Sequence, residues 1–142
     1  MSETIYIKYL PGSPRLEKIA HGDWIDLYTY EDTTLNAGDF QIISLGFACK
    51  LPEGYEANIV ARSSTFKRYG ILQTNAMAVI DSSYCGNGDI WGYPVYAIRD
   101  VFIPKGTRLC QFRINKKQPE LIFEEVVNLS DKNRKGFGST GV

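Results

Sequence analysis

Histidine is almost missing from this chain, with His21 the only one in 142 residues, and cysteine occurs just three times, as Cys49, Cys85 and Cys110. No CxxC pair occurs, and an odd number of thiols excludes a fully paired disulfide framework; with that spacing and a single histidine, a Cys/His zinc site is not expected. Reduced thiols in a cytoplasmic protein are the plain expectation. Net charge is missing as well, because 16 basic side chains offset 16 acidic ones. The chain therefore has no broad basic face with which to neutralise a nucleic-acid backbone, and nucleic acid is not an expected partner. A small anion stays in play, since a pocket needs only a few cations placed locally. No apolar run is long enough to cross a bilayer, and residues 1–10 lack the basic start and long apolar centre of a signal peptide. A soluble, intracellular protein with no membrane partner is expected.

Helical periodicity is scarce too, and short strands separated by turns take its place. Candidate strands cover 4–10, 24–30, 40–50, 55–62, 71–80, 91–101, 109–114 and 120–127, with turn signals NAGD at 36–39, PEG at 52–54, GNGD at 86–89 and PKG at 104–106. Tyr55, Ala57, Ile59 and Ala61 alternate with Glu56 and Asn58, the period of a half-buried strand. One helical turn is expected, with Ser63 or Ser64 capping, 65–69 turning and Gly70 closing in a left-handed conformation. This pattern predicts an all-β fold, a β-sandwich or jelly-roll subunit with one short helix. Hydrophobic residues make up 44% of the chain, enough for a core in a single domain of this length. The domain is expected over 1–130. The twelve residues DKNRKGFGSTGV at 131–142 have one large apolar side chain, Phe137, and cannot bury enough surface to fold alone.

Four segments hold residues with chemical potential. In ARSST at 61–65, Arg62 leaves a strand and Ser63 and Ser64 enter the helical turn. Guanidinium, two hydroxyls and free N–H groups suit an anion, although a serine pair at a helix start also serves as a plain cap. In NAMAVIDSSYCG at 75–86 an apolar strand ends in Asp81, a carboxylate at the mouth of the sheet, and Tyr84 follows three residues later. The same residues also read as a turn former and a rim packer. In GTRLCQFRI at 106–114, Gln111 is polar within an apolar strand and either faces solvent or serves a ligand, while Arg108 is expected to pair with a carboxylate or a terminal carbonyl. Last, GFGSTG at 136–141 offers glycine N–H groups, the Ser139 and Thr140 hydroxyls, and a Phe137 ring able to stack on a base. Such stacking contributes about 1–3 kcal/mol per base.

Together and in this order, from Gly22 to Gly141, these segments resemble the five motifs of the trimeric dUTPase family of bacterial or phage type. The first motif is GDWIDL, with Asp26 as its acidic residue. AGDF at 37–40 matches its letters better but lies too close to ARSS to admit the intervening strands. The resemblance implies a jelly-roll homotrimer hydrolysing dUTP to dUMP and pyrophosphate, with sites at subunit interfaces and a mobile C-terminal arm over the nucleotide. It implies magnesium on the phosphates, held through water by Asp26, and Asp81 as general base. Arg62, Ser63, Ser64 and Gln111 would hold the phosphate chain; Arg134, Gly138, Ser139 and Thr140 would clamp its γ end, with Phe137 on the uracil. Asn75 and the backbone near Val79 and Ile80 would read the uracil edge, and the Tyr84 ring would exclude a 2′-hydroxyl.

The chain also departs from the family pattern. Ala61 stands where proline usually precedes the arginine, Ser64 replaces a glycine, and GNGD at 86–89 is an insertion. The arm arginine usually lies five residues before the phenylalanine, where this chain has Lys132; Arg134, three before, is preferred for its bidentate geometry. A dCTP deaminase on the same fold would need a glutamate about ten residues past Asp81, where Trp91 or, past the insertion, Tyr93 stands instead. Trp91 is expected in the core or anchoring a loop. A regulator that binds nucleotide and a protein partner is the remaining alternative, alone or in addition to catalysis.

Overall fold

A computed structural model describes residues 2–18 and 21–136. In chain order its strands are β1 (Tyr6–Tyr9), β2 (Ile25–Tyr28), β3 (Thr33–Leu35), β4 (Phe40–Ser44), β5 (Phe47–Lys50) and β6 (Tyr55–Ala61). A one-turn helix, α1 (Thr65–Tyr69), precedes β7 (Ile71–Gln73), β8 (Ala78–Ile80), β9 (Gly92–Ala97), β10 (Val101–Ile103) and β11 (Arg108–Lys116). Every pairing is antiparallel. The two larger sheets run β2-β11-β6-β8 and β4-β9-β7, and two ribbons, β1-β5 and β10-β3, complete the sandwich.

Alternation decides which side chains face inward. On β9 Tyr93, Val95 and Ala97 are fully buried; on β6 Ala57 and Ile59 are. They meet in one core with Leu27, Ile43, Ile71 and Leu109, drawn from both sheets. Trp91, just before β9, lies at the centre. Its ring sits 4.9 Å from Phe47 and 5.2 Å edge-on to Phe112, so it is a core residue rather than a loop anchor. On β11 the alternation breaks, because Leu109 and Cys110 are neighbours and both are buried. There the ladder to β2 slips between Arg108 and Cys110, a bulge that lies beside the residues of the candidate site.

Several long candidate strands are divided. The stretch 40–50 breaks at Gly46, 91–101 becomes β9 and β10, and 71–80 becomes β7 and β8, which join different sheets. An apolar run states that a segment is buried but not which sheet holds each half. β3 was not anticipated. The expected strand at 120–127 has no ladder partner among the described residues, and Ile122, Phe123 and Val127 are 89%, 93% and 98% exposed. The expected helical turn is present, with Gly70 at φ +62°. Cys49, Cys85 and Cys110 are all free thiols, and burial pushes Cys49 up to about 12, helped by nearby Cys85.

Gly46 marks the break between β4 and β5 for a steric reason. Its φ is +80°, and a Cβ there would lie 2.3 Å from Ser13 Oγ and 2.9 Å from the Tyr30 ring. Gly46→Ala is expected to destabilise the fold by about 2 kcal/mol or more, from left-handed backbone strain plus the clash. A urea or thermal melt measures this; an unchanged midpoint would mean that the turn can relax.

Candidate functional site

Asp26 and Arg62 anchor the first cleft. Asp26 is on β2 opposite Gln111 of β11, and β11 pairs in turn with β6, whose end delivers Arg62. The Asp26 side chain is only 12% exposed; Arg62 Nε lies 3.2 Å from Oδ1 and Arg108 Nη1 lies 3.8 Å from Oδ2. Arg62 Nη1 also donates to the Arg108 carbonyl at 3.1 Å. Two edges of the Arg62 fork are therefore engaged inside the protein, and the rest faces a cleft of about 360 Å³ lined also by His21, Asp23, Ser63 and Gln111. Gln111 Nε2 donates to the Ala61 carbonyl at 3.2 Å, which fixes its amide at the rim.

The hydroxyl that shapes this corner is Thr65, not the serines. Thr65 Oγ1 accepts from the Arg62 N–H at 3.1 Å and donates to the Leu109 carbonyl at 2.7 Å, and the residue is buried. Ser64 is the N-cap of α1 but makes no side-chain capping bond. Ser63 lies at the cleft. Thr65 thus ties the approach to the helix to β11, and no serine hydroxyl makes a capping bond.

Asp81 and Tyr84 belong to a second cleft, of about 400 Å³, which Asn75, Val79 and Ile80 also line. β8 carries Val79 and Ile80 against β6, and the chain turns immediately after. Asp81 Oδ1 accepts from the Ser83 hydroxyl at 2.7 Å and from the Ser83 N–H at 2.8 Å. The hydroxyl first, then the amide, hold this carboxyl below the usual aspartate range, and Lys117 adds a smaller pull the same way. It is a charged acceptor throughout the neutral range, with one oxygen tied down and the other open. The Tyr84 hydroxyl donates to the Ile90 carbonyl at 3.0 Å, closing the 85–90 loop, while Asp89 Oδ2 accepts from the Gly86 N–H at 2.8 Å. The GNGD segment at 86–89 is therefore a self-contained turn within the loop that the tyrosine closes.

The two clefts lie at opposite ends of one strand. Ile80 is opposite Ala57, so Asp81 is level with Glu56, at the start of β6, whereas Arg62 follows its end. Six residues of strand separate them, about 20 Å at ~3.3 Å per residue. The residues singled out in the sequence are thus brought together as two groups, Asp26, Arg62, Ser63 and Gln111 in one, and Asn75, Val79, Ile80, Asp81 and Tyr84 in the other. Arg134 is exposed. Phe137, Gly138, Ser139 and Thr140 lie outside the described residues.

Three participants were not read as site residues from the sequence. Arg108 was expected to pair with some carboxylate, and the partner is Asp26. Ser83 had a local signal, a hydroxyl two residues after an aspartate, which is a common turn-forming arrangement. Gln73 had the same signal as Gln111, an amide in an apolar strand; its Nε2 donates to the Ile59 carbonyl and to Asn75 Oδ1. For the Ser83 contact, Ser83→Ala should raise the Asp81 carboxyl towards its ordinary range, while the amide bond keeps part of the depression. NMR titration of the Asp81 carboxyl measures this, and an unmoved titration would show that the hydroxyl does not reach it.

The profile of the dUTPase family matches residues 24–141. The SPbeta prophage-derived deoxyuridine 5′-triphosphate nucleotidohydrolase YosS of Bacillus subtilis is 51% identical over 138 residues, covering 96% of this chain and 97% of its own. Among solved structures, the Staphylococcus bacteriophage 80alpha dUTPase, a mutant with dUpNHpp, superposes with a TM-score of 0.80 at 23% identity over 99% of this chain and 100% of its own. A dUTPase from phage phi11 of S. aureus, described with a structural Mg(II) ion, superposes at 0.75 with 19% identity over 87% and 98%. These two show a shared fold. With the family matched along most of the sequence, this chain belongs to the dUTPase family, and its activity is the hydrolysis of dUTP as a dUTP diphosphatase.

Proposed function

We propose that each active site is completed between copies of the chain in a homotrimer, one copy presenting the Asp81 cleft and another the Asp26–Arg62 cleft. One observation carries this reading: the antiparallel register of β6 and β8 holds the two groups about 20 Å apart in a single chain, far beyond contact with one reacting phosphorus. Two surfaces supply the means of association. Phe40, Ile42, Leu72 and Tyr96 are large apolar side chains exposed on adjacent strands of the β4-β9-β7 sheet. The unpaired stretch around Phe123 and Val127 can add to a neighbour's sheet, and an apolar groove of about 540 Å³ beside β1, lined by Ile5, Ile7, Leu16 and Ile25, is open to receive it.

In this assembly Asp81 is the general base. Ser83 holds Oδ1 so that the other carboxylate oxygen accepts a proton from the attacking water. Water adds at the α-phosphorus and pyrophosphate leaves, giving dUMP. The outer edge of Arg62, with Ser63, Ser64 and Gln111, holds the phosphate chain, and Arg134, Gly138, Ser139 and Thr140 close on its γ end. Phe137 stacks on the base, Asn75 with the backbone at Val79 and Ile80 reads its edge, and the Tyr84 ring stands against the sugar.

No group of three or more His, Cys, Asp or Glu side chains able to hold an ion occurs among the described residues. Asp26 is already flanked by two arginines. A lone carboxylate would fit a magnesium ion that arrives on the polyphosphate, which Asp26 would hold through coordinated water. Bound there, the ion offsets phosphate charge. A deaminase reading gains nothing from the structure, because Trp91 and Tyr93 are fully buried and Asp89 is engaged in its own turn. Among the described residues no helix is long and apolar enough to cross a membrane, and three free thiols suit the reducing cytoplasm.

Complementation tests the shared site. Asp81→Asn and Asp26→Asn should each abolish turnover while nucleotide still binds. Refolded together as an equal mixture, they should regain about a quarter of wild-type activity, the fraction of sites that draw both intact halves from different copies. A site built within one chain would regain nothing.

A further inference from the structure

Gln73 ends β7 on the three-stranded sheet, yet its side chain crosses to the other sheet. Its Nε2 donates to the Ile59 main-chain carbonyl at 3.0 Å and to Asn75 Oδ1 at 2.9 Å. The carbonyl decides the polarity of this chain of contacts. It can only accept, so the Gln73 nitrogen has to face it; the inverted amide would set oxygen against oxygen. The second hydrogen of the same NH₂ group then meets Asn75, and only the Asn75 oxygen can receive it. Gln73 Oε1 is buried and has no partner among the described residues, so this orientation persists despite an unsatisfied acceptor.

The outcome reaches the second cleft, which Asn75 lines with Asp81 and Tyr84. With Oδ1 committed to Gln73, the Asn75 Nδ2 group is turned away from Gln73 as a donor. A freely rotating amide would offer oxygen as readily as nitrogen. Uracil and cytosine differ at position 4, where uracil has an acceptor oxo group and cytosine a donor amino group. A donor held in place favours the first and leaves the second facing another donor.

We propose that Gln73 is a specificity-determining residue, which fixes the Asn75 amide as a donor and so selects uracil over cytosine nucleotides. The proposal rests on the reading of Asn75 as a base contact. The test compares kcat/KM for dUTP and dCTP in the full-length protein, Gln73→Leu, Gln73→Met, Asn75→Ala and the Gln73→Leu/Asn75→Ala double variant. The dUTP-to-dCTP ratio is taken on one preparation, so it does not depend on the fraction folded. Both Gln73 variants should lower the ratio about tenfold, more through KM than kcat, and adding Gln73→Leu to Asn75→Ala should lower it no further. An unchanged ratio in both Gln73 variants, with a lowered one in Asn75→Ala, would reduce Gln73 to a tie between sheets. An unchanged ratio in Asn75→Ala would overturn the base-contact reading itself.

Discussion

The antiparallel pairing of β6 with β8 is the constraint on which the site depends. Backbone hydrogen bonds set Ala57 against Ile80 and Ile59 against Ala78. That register sends Asp81 off one end of the sheet and Arg62 off the other. Neither residue can migrate without breaking the ladder, because a slip of one position would turn the buried face of each strand outward. A single chain consequently holds two separate clefts, one rich in fixed charge and one walled by β8, Asn75 and Tyr84. On the proposed reading, assembly is a chemical requirement of the reaction rather than an accessory to it.

Within each half the same economy of means recurs: backbone carbonyls and turn hydroxyls fix the orientation of functional side chains. The Arg108 carbonyl and the Asp26 carboxylate hold Arg62, leaving a defined edge towards the cleft. The Ser83 hydroxyl and N–H hold one oxygen of Asp81. The Ile59 carbonyl, through Gln73, sets the polarity of Asn75. On the proposed reading each fixed group is positioned before substrate arrives, which lowers the reorganisation needed during reaction. The bulge between Arg108 and Cys110 lies opposite Tyr28 and Leu27, next to the Asp26–Gln111 pair.

Much of this was legible in the residues. Alternation at Tyr55, Ala57, Ile59 and Ala61 located β6, and Gly70 located the end of α1. Asp26, rather than the better-spelled AGDF, took its place beside Arg62, because β2 and β6 flank β11 while Asp39 instead caps a turn through the Asn36 N–H. What escaped was information that exists only between strands. Periodicity does not reveal that 71–80 changes sheets, nor that Thr33 to Leu35 pair with β10, three residues being too few to show a pattern. The 120–127 run reads as a strand because it is apolar, yet among the described residues of one chain it finds no partner. Gln73 escaped for another reason. An amide in an apolar strand is visible in the sequence, but its acceptors at 59 and 75 lie on different segments.

A crystal structure with a non-hydrolysable dUTP analogue tests the shared site most directly. One nucleotide should be contacted by Asp81 of one copy and by Arg62 of another, with the β6–β8 ladder intact. Asp81 and Arg62 of the same copy around one nucleotide would contradict it.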